Sequence, residues 1–175
     1  QEALDVAASM GLPITLHQPS YSMLNRWVEQ TDADAGGRSL LDVAGDAGTG
    51  VVAFSPLAQG LLTRKYLDGV PADSRAARGG PLRPEYLSED NLARVRALAA
   101  IADERGQSLA QLAISWVLRD PRVTSVALGA RTAAQLEENL AAVHAAPLTD
   151  DELARIDRHA VDGGINLWGS RSSEL

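Results

Sequence analysis

Short apolar runs alternate with longer segments of helical periodicity along this chain. The runs predict three strands, the last two of them buried: Ile14–His17, Val51–Phe54 and Val123–Leu128. Helical spacing is found in Gln1–Met10, in a turn or two of Met23–Gln30, in Arg38–Ala47, in Glu89–Arg105, up to Arg119 after Ser108, and after Thr132 and Thr149. Strands that alternate with helices favour right-handed crossovers and a parallel sheet, so we predict an α/β fold.

Capping signals support the four helices in the second half of the chain. A hydroxyl residue precedes each one, and in three of them a glutamine or glutamate follows three positions later. The signals are Ser88, Ser108 with Gln111, Thr132 with Gln135, and Thr149 with Glu152. Upstream of these helices, residues 67–87 show no clear period and predict a long loop, which in a compact domain is usually a functional lid or a mobile segment.

Composition bounds the function classes. The 175 residues suffice for one domain with a core, and the net charge of −7 argues against a nucleic-acid surface. The absence of cysteine excludes a disulfide framework, a thiolate metal site and a cysteine nucleophile. No apolar run approaches the ~20 residues that a membrane span needs, and no signal peptide opens the chain. We therefore expect a cytoplasmic protein that binds neither membranes nor nucleic acid, and no metal-ligand motif is found.

The segment Gly50–Tyr66 carries the first chemical signal. An apolar strand runs into a Ser-Pro turn and then towards Lys65, the only lysine of the chain. Parallel α/β folds present backbone donors and positive charge to phosphates in this manner. The glycines of Gly45–Gly50 precede the strand, so a helix-to-strand turn explains them better than a dinucleotide-binding loop.

A second phosphate signal lies in Gly129–Asn139, where a glycine and a helix N-terminus follow the third strand. Helical spacing would place Arg131, Gln135 and Glu138 or Asn139 on one face. The alternative is that Thr132 and Gln135 only cap a helix and that Arg131 is only solvated. The residues leave these readings open. The three histidines are expected to be structural or exposed, and of these only His17, at a strand end, could face a site.

Taken together, four ordered stretches closely resemble the aldo-keto reductases. They are His17–Trp27, Phe54–Tyr66, Leu109–Trp116 and Leu128–Asn139. The nearest branch resembles the bacterial glyceraldehyde-3-phosphate-type reductases, which are themselves similar to potassium-channel β-subunits. The resemblance implies a (β/α)₈ TIM barrel that binds NADPH at the carboxyl ends of its strands. The three predicted strands would be its strands 6–8, and residues 1–175 the C-terminal part of a single barrel domain.

The resemblance also implies which residues bind the cofactor. Gln18 would lie near the nicotinamide carboxamide, and Phe54 would pack against the nicotinamide ring. The pyrophosphate would be wrapped by Ser55, Pro56, Leu57, Ala58 and Gln59, and Lys65 and Arg75 would close over the phosphates. The adenosine end would be held by Gly129, Arg131, Gln135, Glu138 and Asn139. Arg131 would be the partner of a 2′-phosphate, although many relatives carry a small hydroxyl residue there.

The catalytic residues of the family have no counterpart in this chain. The family draws its Asp, Tyr, Lys and His from the first four strands, and Lys65 is not that lysine. Because a barrel of this type needs about 250 residues, we expect a C-terminal portion of an NADPH-dependent reductase of small carbonyl substrates, inactive in isolation. The alternative is a non-catalytic half-barrel, split or truncated, that binds nucleotide, a complementing N-terminal half or a second copy. A third, weaker hypothesis is a small independent phosphate-binding α/β domain.

Overall fold

A computed structural model describes residues 1–33, 36–67, 69–71 and 82–165 of the chain. The helices and strands follow one another in the predicted order. They are α1 (Glu2–Ser9), β1 (Leu16–His17), α2 (Leu40–Asp46), β2 (Gly50–Phe54), α3 (Glu89–Glu104), α4 (Leu109–Val117), β3 (Val123–Ala127), α5 (Ala133–Leu140) and α6 (Asp150–Asp157). Short 3₁₀ turns occupy Trp27–Glu29, Ala58–Gly60, Arg64–Tyr66, Pro84–Leu87 and Ala141–His144.

The three strands form one parallel sheet in the order β1-β2-β3. Leu16 pairs with Gly50 at its start, and Phe54 pairs with Ala127 at its far end. A further parallel bridge joins Ser20 to Phe54. The predicted α/β class and the parallel sheet are therefore confirmed, and the carboxyl ends of all three strands lie on the same side of the sheet.

Hydroxyl caps begin the helices as the sequence predicts. The side chains of Ser88, Ser108, Thr132 and Thr149 each accept a backbone N–H three residues later. The prediction was wrong for Gln135, whose side chain accepts the N–H of Arg131 (3.0 Å) rather than that of the cap residue. A further capping box, in which Ser39 caps α2, was not predicted.

The core lies between the sheet and the helices that cover one side of it. Its largest fully buried side chains include Trp116 and Leu112 of α4, Leu98 of α3 and Tyr21 after β1. α4 contributes seven buried residues out of nine, so it is the central helix of this layer. The segment that follows β1 takes part in this core through Tyr21, Met23 and Leu24.

Some predicted boundaries and burial states were wrong. Only Val123 of β3 is buried, because β3 is an edge strand with no neighbour on one side among the described residues. β1 is exposed for the same reason and is shorter than predicted. Helical structure in Met23–Gln30 is limited to one 3₁₀ turn, and α2 begins at Leu40 because Ser39 is its cap.

Apolar side chains are exposed beside both sheet edges. Val6 and Met10 of α1, with Leu12 and Leu16, lie on the β1 side, and Leu136, Leu140 and Val143 form a stripe on the β3 side. Across the described parts of the chain, no helix is long and apolar enough to cross a membrane. The same residues contain no cluster of three metal-ligating side chains.

Candidate functional site

The predicted site residues follow the carboxyl ends of the strands. Gln18 comes directly after β1, Ser55 after β2, and Gly129 two residues after β3. Because the strands are parallel and adjacent, these three positions lie together at the carboxyl end of the sheet. Gln18 and Gly129 are exposed there, and Phe54 is half-buried at the end of the central strand.

The turn after β2 has an unusual backbone. Ser55, Ala58 and Gln59 have positive φ values of 56°, 47° and 59°, which residues other than glycine rarely adopt. Hydrogen bonds hold the turn: the N–H of Ala58 donates to the carbonyl of Ser55 (2.9 Å), and Gln59 Nε2 donates to Ser55 Oγ (2.8 Å). Such conformations cost about 1–3 kcal/mol each and concentrate at functional sites.

The segment that follows β1 is bonded to the end of β2. The N–H of Phe54 donates to the carbonyl of Pro19 (2.9 Å), and the N–H of Tyr21 donates to the carbonyl of Phe54 (3.1 Å). Trp27 Nε1 donates to the carbonyl of Ser20 (2.9 Å), which fixes the same segment from its other side. Both backbone groups of Phe54 are therefore held by residues 19–21.

Lys65 lies on the 3₁₀ turn Arg64–Tyr66, downstream of the left-handed turn. The Thr63 hydroxyl accepts the Lys65 N–H (3.3 Å) and donates to the carbonyl of Gly60 (2.6 Å). The Lys65 side chain is exposed, with Nζ 5.9 Å from the centre of the Tyr66 ring. A cation thus stands on a braced turn that continues from β2.

The residues after β3 divide into an exposed group and a buried one. Arg131 and Gln135 are exposed and are joined by the hydrogen bond from the Arg131 N–H to Gln135 Oε1. Glu138 is exposed, and its carbonyl accepts Gln111 Nε2 (2.9 Å). Asn139 is buried, so it does not share the exposed face predicted for this group.

Sequence reasoning missed a charged cluster beneath the site, which we call the Arg119 cluster: Tyr21, Arg26, Glu29, Trp116 and Arg119. Arg119 donates to the Tyr21 hydroxyl (3.0 Å) and to Glu29 Oε1 (2.8 Å), and Arg26 Nε donates to Glu29 Oε2 (2.6 Å). The Tyr21 hydroxyl also donates to Glu29. The Arg119 guanidinium lies 3.6 Å from the centre of the Trp116 ring.

Titration of the cluster follows from its burial. Burial raises the pKa of the Tyr21 hydroxyl, so it remains a neutral donor. Burial alone would raise the pKa of Glu29, but hydrogen bonds from Tyr21, Arg119 and Arg26 outweigh it and hold that pKa below its ordinary value. Glu29 is therefore the anion on which the cluster converges.

Comparison with known proteins identifies the family. The aldo/keto reductase family model matches residues 2–161. The chain belongs to the aldo/keto reductase family. It is 47% identical over 178 residues to the L-glyceraldehyde 3-phosphate reductase of Escherichia coli K12, with 99% of this chain and 49% of that protein covered. It is 40% identical over 136 residues to a probable voltage-gated potassium channel subunit beta of Arabidopsis thaliana, covering 76% of this chain and 39% of that protein. The chain spans about half the length of these relatives.

The resemblance inferred from the motifs is thus confirmed, and membership in an oxidoreductase family with it. The individual cofactor contacts stay predictions. The predicted site residues are exposed or half-buried along the strand ends, except for Pro56, Ala58 and Asn139, which are buried. Arg75 lies outside the described residues.

Two surface clefts lie away from this end of the sheet. One, of about 560 Å³, is lined by charged and amide groups between α3, α4 and α6, including Arg105, Gln107 and Glu152. The other, of about 710 Å³, lies between the end of α4 and the residues preceding α6. Neither is lined by a residue predicted to bind the cofactor.

Proposed function

We propose that this chain forms the NADPH-binding part of an aldo-keto reductase that reduces small aldehydes and ketones. In this proposal β1, β2 and β3 are strands 6–8 of the family's barrel, and residues 1–175 are its C-terminal part. The observation that carries the proposal is that Gln18, the turn after Phe54, and Gly129 all follow the carboxyl ends of adjacent parallel strands. Ligands of parallel α/β folds bind at the carboxyl ends of the strands.

The turn after β2 suits a pyrophosphate. Leu57, with φ −93° and ψ 14°, is followed by left-handed Ala58 and Gln59. Successive residues of right- and then left-handed conformation form a backbone concavity that attracts anions. We assign the phosphate oxygens to backbone groups of this turn other than the N–H of Ala58, which donates to the carbonyl of Ser55. The strain in this turn is accordingly explained as preorganisation for phosphate oxygens.

Two exposed cations are assigned to the remaining phosphate charge. Lys65 extends from a turn braced by Thr63, and Arg131 precedes the N-terminus of α5. Arginine recognises phosphate through paired N–H donors, whereas lysine acts as a point charge. We assign Arg131 to the 2′-phosphate of NADPH and Lys65 to the pyrophosphate, and Phe54 to the face of the nicotinamide.

NADPH, when bound, would supply the hydride for reduction of the substrate's carbonyl carbon. The residues of this chain bind and orient the cofactor, and the proton donor of the family belongs to strands with no counterpart here. We therefore propose that activity requires a complementing N-terminal βα half. Among the described residues no strand pairs with the outer sides of β1 and β3, and these unpaired edges, with the exposed apolar residues of the neighbouring segments, support such a partner, because unpaired strand edges are usually covered.

Calorimetric titration with NADPH and with NADH tests the cofactor assignment. We expect NADPH to bind and NADH to bind more weakly, with Arg131→Ala removing most of the difference. Lys65→Ala should weaken both cofactors by about tenfold, as expected when one charged phosphate contact is lost. Arg155→Ala, an exposed cation on α6 away from the strand ends, is the matched control.

The outcomes separate the alternatives. Binding that Lys65→Ala and Arg155→Ala weaken equally would show a non-specific charge effect and reject the assignment of Lys65. Failure to bind millimolar NADPH, both alone and with a supplied N-terminal half, would reject the cofactor site. Carbonyl reduction only after that half is added would support the proposal that this chain binds the cofactor and that the N-terminal half supplies the proton donor.

A further inference from the structure

The Arg119 cluster is connected to the candidate cofactor site through one residue, Tyr21. Its backbone N–H donates to the carbonyl of Phe54, and its side chain is fully buried against Trp116 with the hydroxyl bonded to Arg119 and Glu29. Tyr21 and Trp116 have ring centres 5.5 Å apart. A displacement of the Tyr21 side chain would therefore move the backbone group that holds Phe54.

We infer that Arg119 is a positioning residue for the cofactor site, acting through Tyr21 to hold Phe54 at the end of β2. This inference rests on the proposed function for the part that concerns NADPH. Its structural part, that Arg119 holds the backbone of residues 19–21 against Phe54, stands on the hydrogen bonds alone.

The geometry of Arg119 explains why this residue and not a neighbour has the role. One face of the guanidinium covers the Trp116 ring, while its edge donates to the Tyr21 hydroxyl and to Glu29. Only a planar, forked cation can stack and donate to two partners at once. A lysine would keep the charge but could not reproduce this arrangement.

Arg26 completes the support on the other side. It donates to Glu29, to the carbonyl of Ala160 (2.7 Å) and to Asp157 (2.8 Å), and it lies 5.0 Å from the centre of the Trp116 ring. Glu29 thus receives two guanidinium groups, one anchored to α4 and the other to α6. The segment after β1 is in this way tied to two helices of the outer layer.

A role in general stability is the competing explanation, and Arg105 supplies the matched control. Its side chain is 11% exposed, against 20% for Arg119, and it joins the end of α3 to Glu152 of α6 and to the carbonyl of Ala146. It therefore resembles Arg119 in burial and in the number of partners, but none of its contacts reaches residues 19–21 or Phe54.

Amide hydrogen exchange followed by NMR tests the inference without any cofactor. In Arg119→Met we expect the amides of Tyr21 and Phe54 to exchange about tenfold faster relative to those of the β2–β3 ladder, as expected when one partner of a buried charged hydrogen bond is removed. Arg105→Met should lower the melting temperature without this local change. Arg119→Lys should not restore the parent exchange. Tyr21→Phe, which keeps the packed ring, should reproduce the local change if Arg119→Met does not fold.

Cofactor titration of the same variants forms the second arm. We expect about tenfold weaker NADPH binding in Arg119→Met and in Arg119→Lys, and less than a twofold change in Arg105→Met. Equal effects of Arg119→Met and Arg105→Met in both arms would overturn the inference. Full rescue by Arg119→Lys would overturn the requirement for a forked cation. If Arg119→Met shows the local exchange change but the parent chain fails to bind NADPH both alone and with a supplied N-terminal half, the positioning of Phe54 stands and only the proposed function is rejected.

Discussion

Gly129 and Gly48 carry glycine for different physical reasons. Gly48 ends α2 with φ +66°, a conformation that side chains disfavour. Gly129 does not have a positive φ, and a Cβ placed on it would contact nothing within 4 Å. The fold therefore requires glycine at position 48 and not at position 129, where the proposed cofactor contact supplies a reason for glycine.

This difference predicts a separation of stability from binding. Gly129→Ala should leave the free energy of unfolding within about 0.5 kcal/mol of the parent while weakening NADPH binding. Gly48→Ala should lower the unfolding free energy by about 1 kcal/mol and leave binding unchanged. Urea unfolding and calorimetry on the two variants provide the measurements. Parent-like NADPH affinity in Gly129→Ala would contradict a cofactor contact at this glycine.

Glu29 gives the chain a predicted pH dependence. The pKa of Glu29 is lower in the folded chain than the ordinary value of 4.5, so the native state favours the ionised carboxylate more than the unfolded state does. This contribution to the free energy of unfolding is fully present when the pH is above the ordinary pKa. It is lost as the pH falls through the pKa of Glu29 in the folded chain. We expect Glu29→Gln to be less stable at neutral pH and to lose less stability on acidification. Urea midpoints across this range, with Glu137→Gln as an exposed control, provide the check. A parallel loss in both variants would contradict the assignment.

At the level of residues, the sequence predicted the location of the site better than its construction. The motifs place Gln18, Ser55 and Gly129 after strands, because strand ends can be recognised from local patterns. They do not predict the left-handed turn, since serine, alanine and glutamine have no preference for positive φ. The Arg119 cluster could not be predicted from local patterns either, because Glu29 and Arg119 are 90 positions apart in the chain.

At the level of elements, helix caps contribute unequally because their burial differs. Ser39 is 4% exposed, and its hydroxyl accepts the Asp42 N–H (3.2 Å) and donates to Asp42 Oδ2 (2.7 Å). α2 has only seven residues, so this cap governs a large share of its backbone donors. Thr132 caps α5 at an exposed position with a single such bond.

We therefore predict that Ser39→Ala destabilises the chain more than Thr132→Ala. Loss of a cap typically costs about 0.5–2 kcal/mol, and we place Ser39 near the upper end and Thr132 near the lower. Thermal and urea unfolding of both variants provide the measurement. Equal losses would show that burial of the cap does not matter here.

Element order and type could be predicted from periodicity and capping signals, but the environment of the edge strands could not. The run Val123–Leu128 suggested a buried strand, yet only its first residue is buried. A sequence run reports the composition of a strand and not whether a further strand lies beside it. Burial of β1 and β3 depends on what covers the two edges of the sheet.

At the level of the whole molecule, most of the large exposed apolar residues in the described part of the chain lie in the segments next in sequence to the two outer strands, β1 and β3. On the β3 side, Leu136, Leu140 and Val143 are spaced to form one stripe along α5 and the turn that follows. Contiguous exposed apolar surface commonly marks an interaction site. The polarity of the sheet allows a parallel βα unit to add at either edge.

Charged substitution of this stripe tests whether it is an interface. We expect Leu136→Glu with Leu140→Glu to weaken association of the chain with a supplied N-terminal half at least tenfold, because two carboxylates would be buried without partners. Ala134→Glu with Ala141→Glu adds the same charge at exposed positions outside the stripe, one in α5 and one at the start of the turn that follows it, and is the matched control. Sedimentation velocity measures the association, and circular dichroism checks that α5 is retained. Equal weakening by both pairs would indicate charge repulsion rather than a specific surface. Undiminished association in the Leu136 and Leu140 variant, with its helix content intact, would place the partner elsewhere and leave the β3 edge unexplained.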